Sequence, residues 1–136
     1  MSYAPSAALQ AAIYARLSTD AAVQPLVGNA IHDAVPPGTP PGTFIVVGPE
    51  EVLDRSDATA AAAEHRLKIS VVSNASGFQH AKEVAGAVSD ALLRRPVPPL
   101  ARGRVVGLWF HRAEATRVRS TGARRIDLTF RVLVED

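Results

Sequence analysis

The side chains of this sequence best suited to chemistry are four histidines: His32, His65, His80 and His111. No two of them are four residues apart, so no single helix would present a pair to a metal ion. The sequence has no cysteine, which excludes thiolate ligands, disulfides and a cysteine nucleophile. A metal site would need all four histidines to converge from separate elements. We therefore expect no metal, and we expect His65 and His111 to lie at the surface or at a sheet edge.

A second candidate for chemistry is the carboxylate pair Asp54 and Asp57, which has the residue types of an acid–base pair or of weak calcium ligands. A solvated acidic loop explains the pair more simply. The sequence also lacks the Gly-x-Ser-x-Gly, Gly-x-x-x-x-Gly-Lys and Gly-x-Gly-x-x-Gly motifs. Nothing assembles a nucleophile, a base and an oxyanion site. We expect neither enzymatic activity nor a cofactor.

Length and composition favour one ordinary globular domain. The chain has 136 residues, which fits a single domain spanning 1–136. Hydrophobic residues make up 47% and charged residues 21%, so extensive disorder is excluded. No apolar run approaches the ~18 residues of a membrane span, and no signal-peptide pattern opens the sequence. We expect a soluble domain, intracellular or particle-bound, with no membrane partner.

The distribution of charge is the most informative bulk property. Residues 1–68 carry four basic and seven acidic side chains, whereas residues 69–136 carry eleven basic and six acidic ones. Ten arginines lie between Arg94 and Arg131, with only Glu114 and Asp127 among them. GC-rich coding would produce such an arginine bias, and so would a protein interface, because arginine makes planar, bidentate contacts.

In the N-terminal half, Leu9, Ile13 and Leu17 form a helical stripe with Ser6 as its N-cap. A short turn at 20–23 should end at Pro25. A rigid Pro/Gly loop should occupy 35–43. The run 44–48 predicts a strand buried on both faces, ended by Pro49. Segment 50–63 lacks a clear period and predicts an irregular or mobile loop that contains a second short strand at 52–53.

The C-terminal half alternates more clearly. A strand is predicted at 66–72 and a helix at 76–95, begun by a capping box of Ser76 and Gln79 and with Arg94 and Arg95 in its last turn. Two strands at 104–117 and 124–134 should form an antiparallel hairpin. Val106, Leu108 and Phe110 should share one face of the first. The order α-β-β-α-β-β predicts an α+β fold, a mostly antiparallel sheet with two main helices on one face.

The arginine-rich end of this last hairpin has three explanations. It is a solvated loop, a protein–protein contact, or a nucleic-acid-binding surface in which Trp109 or Phe110 stacks on bases. The net charge of the chain is only +2, and the arginines bracket a hairpin tip rather than line a groove. A small nucleic-acid-binding or assembly-chaperone domain remains the alternative function.

The order of landmarks along the chain resembles a known family. Ile13-Tyr14-Ala15-Arg16-Leu17 leads through a Pro/Gly loop to the strand at 44–48, then to Glu64-His65-Arg66-Leu67. The chain ends on Leu128-Thr129-Phe130-Arg131-Val132-Leu133-Val134-Glu135. This pattern, over about residues 6–135, is similar to the tail-completion or tail-terminator proteins of phages with long flexible tails, and of gene transfer agents.

The resemblance implies a structural protein of the virion tail, made in the bacterial cytoplasm. Family members form a hexameric ring on the head-proximal end of the tail tube, stop tube polymerisation and dock to the head connector. The implied partners are other copies of the chain, the major tail tube protein and the head-connector (stopper) protein, with DNA only passing through the ring lumen. The family has no catalytic residues to carry over.

Charge of opposite sign in the two halves favours head-to-tail contacts between copies. We therefore expect an acidic group and an arginine group to meet across a subunit or tube interface. The candidate residues are Glu50, Glu51, Asp54, Asp57, Arg112, Arg117, Arg119, Arg124 and Arg125.

Overall fold

Three helices and five strands make up the part of the chain that a computed structural model describes, residues 3–36 and 42–136. In chain order they are α1 (Ser6–Thr19), α2 (Gln24–Val27), β1 (Ile31–His32), β2 (Thr43–Asp54), β3 (Ala62–Ser73), α3 (Gln79–Leu93), β4 (Arg104–Arg117) and β5 (Arg124–Glu135).

The five strands form one sheet in the order β1-β2-β3-β5-β4. The two-residue β1 pairs parallel to β2, and every other pairing is antiparallel. The α+β class is confirmed. The bounds predicted for β4 are also confirmed, because Arg104–Arg117 is a strand in full.

One hydrophobic core lies between the sheet and the two long helices. Leu9, Ile13 and Leu17 of α1 are buried against it, as the helical stripe predicts. The buried residues of α3 and the alternate residues of β3 and β5 complete it. Full burial of one such side chain is worth about 1.5–3 kcal/mol. The helices cover one face of the sheet, and the other, here called the open face, carries the polar side chains of the alternating strands.

The prediction that Pro49 ends its strand is wrong. The pairing passes from Val47 opposite Ile69 to Glu50 opposite Leu67, so β2 gains one extra residue at this point. A bulge of this kind accommodates a proline because it skips the position whose N–H would pair. Strand β2 then continues to Asp54, and the irregular loop predicted for 50–63 shrinks to residues 55–61.

Both predicted helix caps are wrong in detail. Helix α1 has Pro5 as its N-cap, and Ser6 lies inside the helix. Helix α3 begins at Gln79 without a side-chain cap, and Arg94 is its C-cap. Its start is held by Arg124, whose Nη2 donates to the carbonyl of Ser76 at 2.8 Å. The Ser76–Gln79 capping box therefore does not form.

Two further predictions concern the turns of the N-terminal half. Pro25 stands in the first turn of α2 instead of ending a helical turn, and the first turn is where a missing N–H costs least. Of the Pro/Gly loop predicted at 35–43, residues 37–41 lie outside the described residues.

Candidate docking surfaces

The acidic candidates lie on the hairpin formed by β2 and β3. Asp54 ends β2 and accepts hydrogen bonds from Ser56, from the hydroxyl at 2.7 Å and from the backbone N–H at 3.0 Å. Asp57 accepts from the N–H of Thr59 at 2.8 Å and from its hydroxyl at 3.0 Å. These bonds lower the pKa of both exposed carboxyls, so both are charged at neutral pH. We call the connection 55–61 with Asp54 the acidic tip.

Glu50 differs from the other acidic candidates because its carboxylate faces its own chain. Tyr3 Oη donates to Glu50 Oε1 at 2.7 Å, and Ser6 Oγ donates to the same oxygen. On the other side, His65 Nδ1 lies 3.4 Å from Glu50 Oε2. The carboxylate thus links the start of α1 to β2 and β3.

The prediction that His65 lies at the surface or an edge is wrong. Its side chain is completely buried, because β3 is a central strand and His65 lies opposite Val132 on the helix-covered face. Its Nε2 has no hydrogen-bond partner among the described residues. His111 is exposed on the edge strand β4, as expected.

The arginine candidates divide into two groups. The side chains of Arg117 and Arg119 are exposed at the end of the β4–β5 hairpin and make no hydrogen bond or ion pair with the residues described. Arg124 is engaged locally: it donates to the carbonyl of Gly122 at 2.7 Å, and its guanidinium lies 5.4 Å from the ring centroid of Phe78. We call residues 117–124 the arginine tip.

Arg112 and Arg125 lie further from the tip, and each is paired with an acid two residues along its own strand. Arg112 Nη2 lies 3.1 Å from Glu114 Oε2, and Arg125 Nε lies 2.9 Å from Asp127 Oδ1. Arg125 also donates to Ser70 Oγ at 3.2 Å. Their charges are therefore partly neutralised within the subunit.

The two tips lie at opposite ends of the sheet. Ala62 pairs with Glu135 at the acidic end, and Ser73 pairs with Arg124 at the arginine end. Those positions are eleven residues apart on β3, which at ~3.3 Å per residue separates them by roughly 36 Å. The acidic tip and the arginine tip therefore cannot contact each other within one subunit.

The open face carries both signs of charge. Glu51, Arg66, Arg131 and Trp109 lie in one row across four strands. Arg66 bridges to Glu51 at 3.8 Å and to Glu64 at 2.8 Å, and the guanidinium of Arg131 lies 5.9 Å from the centroid of Trp109. Interleaved charge of this kind does not form the continuous basic track that binds a nucleic-acid backbone.

The side chains that sequence reasoning missed are apolar and exposed. Val106 was expected to share a face with Leu108 and Phe110, but pairing shifts at Val105/Gly107 and Phe110/Arg112 break the alternation. Leu108 packs against the core, whereas Val106 is 45% exposed. Gly107 within a strand pattern was the available signal, because such a glycine often marks a bulge.

The apolar residues exposed at the other sheet edge adjoin a cleft. The cleft has a volume of about 1170 Å³ and lies between α1 and the segment 31–36. Tyr3, Tyr14 and Val35 contribute to its lining, and all three are largely exposed. Within residues 3–36 and 42–136, no group of three or more His, Asp or Glu residues is arranged to hold a metal ion.

Comparison with known proteins shows which family this chain is similar to. The model of the family described as "Tail completion protein gp17" matches residues 11–135. A solved structure titled "Virion of native gene transfer agent (GTA) particle" contains a similar chain, with 54% sequence identity and a TM-score of 0.90. The alignment covers 99% of this chain and 100% of that one. No curated protein matches the sequence.

Proposed function

The chain belongs to the tail completion protein gp17 family, and we propose that copies of it form a ring of six subunits that closes the head-proximal end of a tail tube. The protein is a structural protein of the virion tail and not an enzyme. The proposed ring stops polymerisation of the tube and docks the tail to the head connector.

The observation that supports this role best is the separation of the two charged tips. One face of a terminator must bind the growing end of the polymer, and its other face must not bind a further tube subunit. It therefore needs two unlike faces. A subunit with an acidic tip and an arginine tip roughly 36 Å apart supplies them, provided that the strands run from one ring face to the other.

The proposed docking residues are the charged candidates of the two hairpins. Exposed ion pairs contribute only about 0–1 kcal/mol each, so they act mainly on register and association rate. Arg117 and Arg119 are the strongest members, because they have no partner among the described residues. Glu50 is the weakest, since its carboxylate is already bound by Tyr3 and Ser6. The full set is Glu50, Glu51, Asp54, Asp57, Arg112, Arg117, Arg119, Arg124 and Arg125.

The proposed partners follow from this position in the particle. They are neighbouring copies of the chain, the major tail tube protein and the head-connector protein, while DNA only passes through the lumen. No membrane partner is proposed. Among the residues described, no helix has the length and apolar character needed to cross a bilayer.

Nucleic-acid binding through the arginine tip is less well supported. Arg112 and Arg125 are paired with acids, and Arg124 is bonded to two carbonyls. That leaves Arg117 and Arg119 as cations without a partner in the described chain, and two phosphate contacts give weak, strongly salt-dependent binding.

Deletion of the gene tests the proposed function. Without a terminator, tube growth has no stop, so electron microscopy should show tails that are overlong or variable and that fail to join filled heads. Supply of the protein from a plasmid should restore both length and joining. Tails of normal length joined to heads in the deletion strain would refute the terminator role.

A further inference from the structure

The large apolar side chains exposed on the described surface fall at the two opposite edges of the sheet. Beside β1 they are Tyr3, Tyr14 and Val35, and beside β4 they are Leu93, Val106, Trp109 and Phe110. Trp109 lies on the open face beside Arg131, whereas Phe110 packs against Phe130 on the helix-covered face. Exposed apolar side chains gathered at an edge in this way mark an interaction site. Because this surface is divided between the β1 edge and the β4 edge, each edge needs a partner.

The β1 side is concave and acidic. Ala7 and Ala11 face the cleft from α1, and their small side chains leave it open beside Tyr14. Asp33 also lines the cleft and is exposed, and its carboxylate makes no hydrogen bond or ion pair with the described residues. The cleft therefore suits a partner that brings apolar side chains together with a cation.

The β4 side has that character. Strand β4 is 14 residues long, or roughly 46 Å at ~3.3 Å per residue, and β5 is its only partner within the described chain. Arg104, Arg112 and Arg117 lie along it. Arg104 and Arg112 are paired with Glu135 and Glu114, so the side chain of Arg117 is the cation of this strand that has no partner among the described residues. The shifts at Val105/Gly107 and Phe110/Arg112 interrupt its ladder, which disfavours extension of the sheet by a further regular strand. A partner would therefore contact the side chains of this edge and not its backbone.

We infer that the β4 edge of one copy occupies the β1-side cleft of the next copy. This inference rests on the proposed ring and names its lateral contact. The two surfaces differ, so the contact is head-to-tail, which is the type that closes into rings. A two-fold contact between two β4 edges would bring like charges together and leave both clefts empty.

The inference also assigns a direction to the charged tips. Copies that meet through their sheet edges cannot have strands that follow the circumference of the ring. With the strands parallel to the ring axis, as the proposed function requires, the acidic tips emerge on one ring face and the arginine tips on the other. The tips contact the tube and the connector, and not each other.

Cysteine cross-linking tests the contact, because the natural chain has no cysteine. Particles are prepared from cells whose only copy carries Tyr14→Cys in the cleft together with Val106→Cys or Trp109→Cys on the β4 edge. A flexible bis-maleimide should then produce a ladder of covalent species beyond the dimer, and the three single variants should produce none. Dimers from Val106→Cys or Trp109→Cys alone would establish the two-fold contact and overturn the inference.

A matched pair at the tips provides the opposite expectation. The variant Ala58→Cys with Arg119→Cys places one cysteine in the acidic tip and one in the arginine tip. Treatment with the same bis-maleimide should give no ladder of cross-linked copies. A ladder from this pair but not from the edge pair would overturn the inference, as would cross-links from Tyr14→Cys to another tail protein.

Tail length, measured on the same particles, separates this result from the proposed function. Normal tails that contain the variant but give no edge-pair ladder overturn the contact alone. An edge-pair ladder, combined with normal joined tails in the deletion strain, overturns the terminator role and leaves the contact standing.

Discussion

At the scale of single residues, the carboxylate of Glu50 contacts side chains from two separate segments of the chain. It accepts from Tyr3 and Ser6 and faces the buried ring of His65. Glu50→Ala should lower the free energy of unfolding by about 1–3 kcal/mol, because the buried side chains of Ser6 and His65 lose the carboxylate that both of them face. Urea denaturation measures this change.

The neighbouring Glu51 is a matched control for Glu50. Its side chain is 65% exposed and lies 3.8 Å from Arg66, so Glu51→Ala should change stability by no more than about 0.5 kcal/mol. Equal losses in the two variants would mean that the hydrogen bonds of Glu50 contribute nothing beyond an ordinary surface charge.

Glu64 should govern part of the acid sensitivity of the fold. The hydrogen bond from Arg66, and after it the nearby charges of Arg55 and Arg131, lower the pKa of its half-buried carboxyl. A carboxyl with a lowered folded pKa stabilises the protein above its unfolded pKa of about 4.3 and loses that contribution as the pH falls through the folded value.

Glu64→Gln therefore carries a pH-dependent prediction. The variant should be less stable than the natural protein at pH 7, by about 1 kcal/mol, and the difference should shrink as the pH falls below about 4. Denaturation curves from pH 7 to pH 3 measure it. A difference that stays constant over that range would show that Glu64 acts by packing and not by charge.

At the scale of elements, two glycines make opposite predictions. Gly86 is exposed in the middle of α3, and an added Cβ meets nothing within 4 Å. Gly86→Ala should raise the free energy of unfolding by about 0.5–1 kcal/mol, because glycine is a poor helix former. In β4, a Cβ at Gly107 would overlap the indole ring of Trp109.

Gly107→Ala should therefore turn Trp109 away from Arg131. Because Trp109 is the single tryptophan, a shift of its fluorescence towards longer wavelength reports the movement directly, and Gly86→Ala should leave that spectrum unchanged. Unchanged emission in Gly107→Ala would contradict the close packing of this bulge.

Elements with a clear hydrophobic period were predictable from the sequence. The stripe of Leu9, Ile13 and Leu17 gave α1, and the alternation after Arg124 gave β5 with its core face. Strand β2 beyond Pro49 was missed because a bulge hides the continuation of pairing from any local pattern. The docking surfaces depend on strand order, which places Tyr14 and Trp109 at opposite edges. No local sequence pattern carries that information.

At the scale of the whole molecule, two different polarities cross each other. Charge changes sign along the strands, from the acidic tip to the arginine tip, and exposed apolar surface divides across the strands, between the β1 and β4 edges. Apolar contact supplies most of the free energy of association and charge supplies register. A ring built through its edges can therefore keep both charged faces for its neighbours in the tail.

Neutralising one tip at a time tests this arrangement. Asp54→Asn with Asp57→Asn removes two charges from the acidic tip, and asparagine keeps the side-chain oxygen that accepts from Ser56 and Thr59. Arg117→Gln with Arg119→Gln removes two charges from the other end, where neither arginine has a partner in the described chain. The two variants change the net charge by equal and opposite amounts.

Each variant should weaken one junction of the tail and spare the other, because each tip meets a different partner. One should give overlong tails, and the other should give tails of normal length that fail to join heads, as seen by electron microscopy of particles with equal amounts of the protein. Both defects should be more severe at low ionic strength than at high ionic strength, because the lost attraction is largest where screening is weakest. The screening length falls from about 30 Å at 0.01 M to about 8 Å at 0.15 M. The same mixed defect in both variants would mean that the acidic and arginine tips meet each other between neighbouring subunits, and the two faces of the ring would then owe their difference to something other than charge.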